Sequence, residues 1–507
     1  MPGLRRAGRE CDLAFGMSWL VILFVLASLP WLLVVAPRTE PVRFAAIILA
    51  IGTVLGPNFF SINGPVQLSL DRILLAGLVM LMAIRVLRFG DRIESLSRLD
   101  VVVVLFAVWS LANCAVYGLT KGDPPAIARW LFTVAVPVVI YFSVRIRPTT
   151  GDSPEKRTDS ESRDDNFQRS VQWAITILIT LCVYLALTSV FEQRGWRGLV
   201  FPRFINDPEH WEFFGRGRGP LLNPIGNGMV ITLGLCACIV RFFSSGRVGK
   251  IGYGSLAVIM LAGAMCTMTR SVWMGAFLAA GLLCFSRVPM RLRIVTIVAG
   301  AVLIGAMFAG LKDHLLAFKR DESLSAAQTK ESVELRPLLA LVAYEMFKDR
   351  PITGHGFGQY RQKAKPYHTI RSYDMPLEKV RPYVQHNLFL SYLTDLGLVG
   401  LCLHLFVLVG IFCLAWGLKS TGKDDTAAHA VGMLMVGWLA AYFVNGMFHD
   451  LSIITTMTSY LMFLVGLTVT SHQVQAVGTA EASAGVNRRA AQTVADGKVA
   501  GPSVGLA

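Results

Sequence analysis

The sequence has 507 residues, of which 54% are hydrophobic and only 16% are charged, and its formal net charge is +15. Soluble globular proteins carry about 25% charged residues, so this composition argues against a water-soluble enzyme. Much of the basic excess lies in short segments between apolar stretches, where it sets membrane topology, and we therefore expect no nucleic-acid partner.

Apolar segments recur along the chain, and each is close to the length of about 20 residues that a membrane-spanning helix needs. A spanning segment must satisfy its own backbone hydrogen bonds, which favours helices, and the alternation typical of an outer-membrane barrel is absent. We predict an all-α polytopic membrane protein with about 12–13 transmembrane helices and one large external loop that contains short helices. The segments are 17–36, 43–60, 70–87, 101–118, 128–145, 171–190, 222–241, 251–268, 271–286, 293–310, 386–416, 428–446 and 452–470.

Basic residues between these segments predict the topology, because short cytoplasmic loops are enriched in Lys and Arg. Placing the basic turns inside leaves 192–221, the turn around Arg270 and the long loop 311–385 outside. The first two apolar segments are ambiguous, since thirteen spans would put the basic N-terminus outside, so one of them is expected to be re-entrant or interfacial. The predicted divisions are N-terminal helices 1–147, a cytoplasmic polar linker 148–170, central helices 171–310, a large periplasmic loop 311–385, C-terminal helices 386–471 and a disordered cytoplasmic tail 472–507.

Three arginines stand beside predicted spans. Arg270 lies between two apolar segments, and a charge at such a depth is a functional candidate unless its side chain reaches the lipid headgroups. Its guanidinium suits a diphosphate, because it stays positively charged and can donate two parallel N–H hydrogen bonds to phosphate oxygens. Arg216 and Arg218 alternate with glycines just before a predicted helix, which is typical either of a phosphate site or of a flexible linker.

The long external loop contains the other candidates. Residues 335–348 have apolar side chains at helical spacing and predict an amphipathic helix that carries Arg336, a candidate contact for an anionic substrate. The glycines of 354–360 favour a tight turn or a close backbone approach to a ligand. His386 closes the loop at the mouth of the next span, where its pKa suits a general base at neutral pH, although an interfacial hydrogen-bonded histidine is the alternative.

In this order, the segments resemble the O-antigen ligase family, which includes lipopolysaccharide O-antigen ligases, polysaccharide polymerases and some protein O-oligosaccharyltransferases. The resemblance covers about 200–450, and its most specific part is the His-Asn signature that closes the external loop. The residues that carry it are Arg216, Arg218, Asn223-Pro224, Thr269-Arg270-Ser271, Asp349-Arg350-Pro351, Gly354-His355-Gly356-Phe357-Gly358, His386-Asn387, Leu390, Leu393, Leu396-Gly397 and Gly400.

The resemblance implies an enzyme of the bacterial inner membrane, with its active site facing the periplasm. The donor would be a glycan on undecaprenyl diphosphate and the acceptor a sugar hydroxyl such as that of lipid A core, without metal or cofactor. His386 would take the acceptor proton, and Arg270 with Arg216 or Arg218 would hold the diphosphate. The further residues predicted to bind the diphosphate or the glycan are Asn223, Arg336, His355 and Asn387.

Other functions stay open at this stage. A polysaccharide polymerase or a protein O-oligosaccharyltransferase differs from a ligase only in its acceptor, which the sequence does not identify. A flippase for the same lipid-linked glycan is a second alternative. Transporters typically show internal repeats and charges at mid-membrane, whereas this chain shows no visible repeat and its unusual charges lie at helix ends. A non-catalytic membrane scaffold is a third.

Overall fold

The computed structural model describes residues 40–62, 68–93, 95–147, 156–287, 289, 326–421 and 426–497. Eleven of the thirteen predicted apolar segments coincide with helices, and the other two, 17–36 and 293–310, lie outside the described residues. The helices are α1 (Pro41–Val54), α2 (Leu70–Phe89), α3 (Arg98–Tyr117), α4 (Ala126–Arg145), α5 (Lys156–Gln193), α6 (Pro224–Ser244), α7 (Arg247–Cys266), α8 (Arg270–Phe285), α9 (Ala326–Asp349), α10 (Tyr360–Lys363), α11 (Leu388–Thr421), α12 (Ala427–Phe448) and α13 (Thr455–Gly497).

A few short elements complete the secondary structure. The strands β1 (Ser61–Ile62) and β2 (Leu68–Ser69) form a small antiparallel pair before α2. One turn of α4, Leu131–Ala135, is a π-helix. The 3₁₀ turns are Arg197–Leu199, Arg203–Asn206, Lys365–Thr369, Leu377–Val380 and Leu451–Ile453.

The predicted fold class is confirmed. Within the described ranges, seven helices are long and apolar enough to cross a membrane, and two further apolar helices, α1 and α8, are shorter. Helix α11 is the longest of the seven, with 33 residues over its spanning stretch, and it is interrupted at Gly397.

Helices α6 and α12 form the centre of the bundle. About four-fifths of the apolar stretch of each is buried, 83% for α6 and 78% for α12, whereas only 17% of α7 is buried. Small residues make this packing possible: a Cβ on Gly234 of α6 would lie only 2.2 Å from the Cβ of Cys182 on α5. Close approach through small residues is how helices associate when lipid removes the hydrophobic driving force.

Segments from different parts of the chain meet at one end of the bundle, which we call the site end. The guanidinium of Arg216 donates to Thr269 Oγ1 over 2.6 Å, and His449 Nε2 lies 2.9 Å from Ser271 Oγ. The segments predicted to be external are thus the ones that meet at this end. The site end comprises segments 194–223, 267–269, 350–387 and 449–454.

The opposite end of the bundle is held by a buried ion pair. Arg145 at the end of α4 donates from Nη2 to Asp100 Oδ2 over 2.8 Å and from Nε to Asp100 Oδ1 over 2.9 Å. The same Nη2 also donates to the Ser95 carbonyl over 2.9 Å, and Gln473 of α13 bonds Ser95 Oγ over 2.8 Å. The basic turn between α2 and α3 is therefore fixed against α4 and α13.

The structure has helix in parts of the predicted polar linker and of the predicted disordered tail. Helix α5 begins at Lys156, inside the predicted linker 148–170, and α13 continues to Gly497, inside the predicted tail 472–507. Both stretches adjoin a span, so the unfavourable nucleation of a helix has already taken place and only propagation is needed. The tail is rich in alanine, which has the highest helix propensity, and this outweighs the absence of an apolar face.

Candidate active site

His386 and Asn387 precede the first turn of α11 and fix its start. Asn387 caps the helix, because its Oδ1 accepts the amides of Phe389 at 2.9 Å and Leu390 at 3.0 Å. Its Nδ2 donates to the Met447 carbonyl at the end of α12 over 2.9 Å. His386 has a left-handed backbone with φ of 48°, which is uncommon for a non-glycine residue and often marks a functional site.

The charges around His386 come from two other segments. Burial lowers the pKa of His386, the positive charge of Arg336 lowers it further, and the negative charge of Asp450 opposes both. Since the pKa lies below the ordinary value of 6.5, the imidazole is neutral at pH 7 and able to accept a proton. The histidine is therefore in the state that a general base requires.

Helix α9 carries Arg336 to this position. The predicted amphipathic helix 335–348 is confirmed, and α9 ends at Asp349, two residues before Pro351. The guanidinium of Arg336 lies 5.0 Å from the ring centroid of Phe448, the last residue of α12. The buried face of α9 packs against the 3₁₀ turn Leu377–Val380, so the external loop has its own small apolar core.

Arg270 is the first residue of α8, at the same end of the bundle. The next residue, Ser271, has its Oγ 2.9 Å from Nε2 of His449, which follows α12. Unpaired amides give a helix N-terminus a partial positive charge, to which the guanidinium of Arg270 adds. The start of α8 therefore favours the binding of an anion.

Arg216 supports the turn that precedes Arg270. Its Nε donates to the Thr267 carbonyl over 3.2 Å, and its Nη2 donates to the Met268 carbonyl over 3.1 Å and to Thr269 Oγ1 over 2.6 Å. The side chain is buried. The structure thus brings Arg216 and Arg270 into neighbouring positions, with the first bracing the turn from which the second extends.

Arg218 and Asn223 have structural positions. Arg218 is only 1% exposed and donates to the carbonyls of His210, Glu212 and Ile205, the last two over 2.7 Å. Its Nε also lies 3.8 Å from Glu192 Oε2. The Asn223 Oδ1 caps α6 by accepting two backbone amides, each over 3.0 Å. The geometry therefore does not favour the predicted contacts of Arg218 and Asn223 with a diphosphate.

The glycine-rich stretch approaches a helix rather than an open cavity. Helix α11 is broken at Gly397, whose φ of 68° and ψ of −168° are not helical. The loop fills the break: the amides of His355 and Gly356 donate to the carbonyls of Thr394 and Asp395 over 2.8 and 3.1 Å. The helix also donates to the loop: the amides of Leu398 and Val399 donate to the backbone carbonyls of Pro351 and Ile352 over 2.8 and 3.5 Å. A Cβ on Gly397 would lie 2.2 Å from the Ile352 carbonyl oxygen, which explains the glycine.

The side chain of His355 also serves this loop. It is only 7% exposed, and its Nε2 lies 2.8 Å from the Met346 carbonyl oxygen of α9. Its ring meets that of Tyr367 edge to face, with centroids 5.7 Å apart, and burial lowers its pKa. The predicted contact of His355 with substrate therefore has little accessible surface to support it.

An acidic and basic pair, Asp450 and Arg129, was not predicted from the sequence, and the charge of Asp450 acts on His386. Asp450 accepts hydrogen bonds from Ser391 Oγ over 2.8 Å and from Ser452 Oγ over 2.6 Å, and Arg129 Nη2 lies 3.7 Å from its Oδ2. Asp450 is noticeable in the sequence only as a lone carboxylate near the last helix. Arg129 had a signal, because it lies inside an apolar segment, where a charged residue is a functional candidate.

The fold and this site define a multi-pass membrane protein with arginine and histidine side chains gathered at one end of its helix bundle. Within that class, residues 255–405 match the family model described as O-antigen ligase. The resemblance predicted from the sequence is thus confirmed over a stretch that contains Arg270, Arg336 and His386. The match supports a membrane glycosyltransferase of the O-antigen ligase and polymerase type. No curated protein matches the chain.

Proposed function

We propose that this protein transfers a glycan from undecaprenyl diphosphate to a sugar hydroxyl, such as that of lipid A core, at the periplasmic face of a bacterial inner membrane. One observation carries the proposal: the three separate segments that contain His386, Arg336 and Arg270 converge on the turn that ends α12. That turn is contacted by Asn387, by the Arg336 guanidinium and by Ser271.

In the proposed reaction, the neutral imidazole of His386 accepts the proton of the acceptor hydroxyl. The acceptor oxygen then bonds to the anomeric carbon of the donor sugar, and the bond from that carbon to the diphosphate oxygen breaks. Undecaprenyl diphosphate leaves with the bonding electrons, and the proton passes from His386 to water or to the departing diphosphate. Base catalysis of this kind contributes about 10²–10⁴ in rate.

Arg270 would stabilise the negative charge that develops on the departing diphosphate. Electrostatic stabilisation by groups already in place is usually the largest catalytic contribution. The hydrogen bonds from Arg216 to the preceding turn support this, because they hold the backbone of the arginine before any donor arrives. Arg336 is suited to the same charge or to an anionic acceptor, and the proposal needs no metal or cofactor.

The experiment is complementation of a bacterial host that lacks its own ligase, with surface glycan analysed on a gel. The test variants are His386→Ala and Arg270→Ala. His472→Ala, at the opposite end of the bundle, is the matched control for the histidine, and Arg361→Ala, exposed in the external loop, is that for the arginine. Membrane fractionation establishes that every variant is made.

We expect the wild type and both controls to restore capped lipopolysaccharide and both test variants to fail. If the test variants restore it as well as the controls do, the two residues are structural and the site assignment is wrong. If the wild type restores nothing, lipid A core is not the acceptor, and the polymerase and protein transferase alternatives move ahead.

A further inference from the structure

The segment between α5 and α6 presents bulky apolar side chains to the outside. We call residues 194–215 the aromatic platform. The most exposed side chains of the platform are as exposed as apolar side chains on the outside of the spanning helices, such as Val258 of α7 (67%) and Phe406 of α11 (63%). The exposed apolar residues of the platform are Trp196 (55%), Leu199 (63%), Phe201 (51%), Trp211 (74%) and Phe213 (39%).

The platform is a built structure rather than a loose connection. Buried Arg218 donates to three of its backbone carbonyls, and Tyr184 of α5 donates its hydroxyl hydrogen to the Phe201 carbonyl. Asn206 Nδ2 donates to the Arg197 carbonyl over 2.9 Å. The apolar side chains are therefore held outward by a fixed backbone, although turning them inward would remove apolar surface from water.

The platform lies between two membrane-spanning segments and directly follows the first. It begins one residue after α5 ends at Gln193, and α6 begins at Pro224. The ring of Phe201 also contacts that of Phe59, which follows α1 and is 45% exposed, with centroids 6.3 Å apart. The exposed aromatic surface thus continues from the ends of spans, at the depth where Trp and Tyr are enriched in membrane proteins.

The exposed charges of the platform complement a layer of phosphates. Arg194, Arg197 and Arg203 are all exposed, and their guanidinium groups can each donate to phosphate oxygens. Two exposed carboxylates, Glu209 and Glu212, are closer in sequence to Trp211 than these arginines are. Aromatic rings with arginines beside them match the boundary between acyl chains and headgroups, where one end of a side chain is apolar and the other is wet.

We propose that the aromatic platform rests in the headgroup layer of the membrane leaflet at the site end, with Trp196 and Trp211 inserted toward the acyl chains. The occupant of this surface is lipid and not a partner protein. The inference does not depend on which glycan is transferred or to which acceptor, and its test needs no catalytic turnover.

The test uses the full chain in lipid nanodiscs made of phosphatidylethanolamine and phosphatidylglycerol, with or without acyl-brominated phosphatidylglycerol. Tryptophan fluorescence of the wild type minus that of Trp211→Phe isolates the emission of Trp211. Trp173→Phe, which removes a lipid-facing tryptophan of α5 that is 57% exposed, is the positive control. Trp438→Phe, which removes a fully buried tryptophan of α12, is the negative control. Trp196→Phe repeats the measurement at a second platform position.

We expect the Trp211 emission to be quenched by brominated lipid as strongly as that of Trp173, and to be protected from iodide in the water. If iodide quenches the emission of Trp211 and brominated lipid leaves it unchanged, the platform lies in water and the proposal is overturned. Emission that neither quencher reaches also overturns it, because protein then covers the surface. A failure of the complementation experiment leaves this result unaffected.

Discussion

The break in α11 gives the most direct test of how the external loop is held. In Gly397→Ala, the new Cβ would lie 2.2 Å from the Ile352 carbonyl oxygen, and alanine would have to adopt a φ of 68° with a ψ of −168°. Such a backbone conformation costs about 1–3 kcal/mol in a non-glycine residue. The overlap also forces the loop away from α11, where four backbone hydrogen bonds hold it.

Each of these hydrogen bonds contributes about 0.5–1.5 kcal/mol, so losing two of them together with the strain destabilises the folded protein by about 2–6 kcal/mol. The matched control is Gly417→Ala in the same helix, because a Cβ at Gly417 meets no atom within 4 Å. There alanine is expected to be neutral or to stabilise the helix by about 0.5–1 kcal/mol.

The assay is the thermal unfolding midpoint of each purified variant in detergent, together with glycan transfer in the complementation strain. We expect Gly397→Ala to unfold at a clearly lower temperature than Gly417→Ala and to lose transfer. Equal midpoints and equal transfer in the two variants would refute the reasoning, because the break would then accommodate a side chain and the glycine would have no role in docking the loop.

Two further predictions concern arginines. Arg336→Gln removes a positive charge that lowers the pKa of His386, so this pKa is expected to rise and the acidic limb of the pH–rate profile to move to higher pH. Arg361→Gln, in the same loop, is the control and is expected to leave the acidic limb unchanged. If the limb does not move in Arg336→Gln either, His386 is not the base. Arg218→Met removes the hydrogen bonds to three backbone carbonyls of its own loop. At about 0.5–1.5 kcal/mol each, this is expected to destabilise the fold by about 1.5–4.5 kcal/mol, measured as a lower unfolding midpoint and yield. Near-wild-type stability would show that Arg218 is not structural.

Most of the helical architecture was predictable from apolar length alone, since lipid admits few backbone conformations. Segment length predicted α6 and α12 as spans but could not show that they are central, which depends on the packing of residues such as Gly234. The helical extensions of α5 and α13 were missed, because composition reports the absence of an apolar face but not the effect of an adjoining helix.

The candidate site was predictable where a residue is unusual for its position. Arg270 and His386 are polar residues at the mouths of apolar segments, and the structure brings both to the site end. The contacts of Arg218 with the carbonyls of its own loop could not be predicted, because an arginine beside glycines looks the same in sequence whether it meets a ligand or the backbone. The coupling of Asp450 to Arg129 joins residues more than 300 positions apart, and no local pattern reports such a contact.

The three hydrogen bonds of Arg216 to segment 267–269 all reach the turn that directly precedes α8. They join two parts of the chain that are about 50 residues apart, so a movement of the segment before α6 would be passed on to the first turn of α8. Arg216 therefore couples the position of that segment to the position of Arg270. Lysine at this position would not make the same set of contacts, because it lacks the planar fork of the guanidinium.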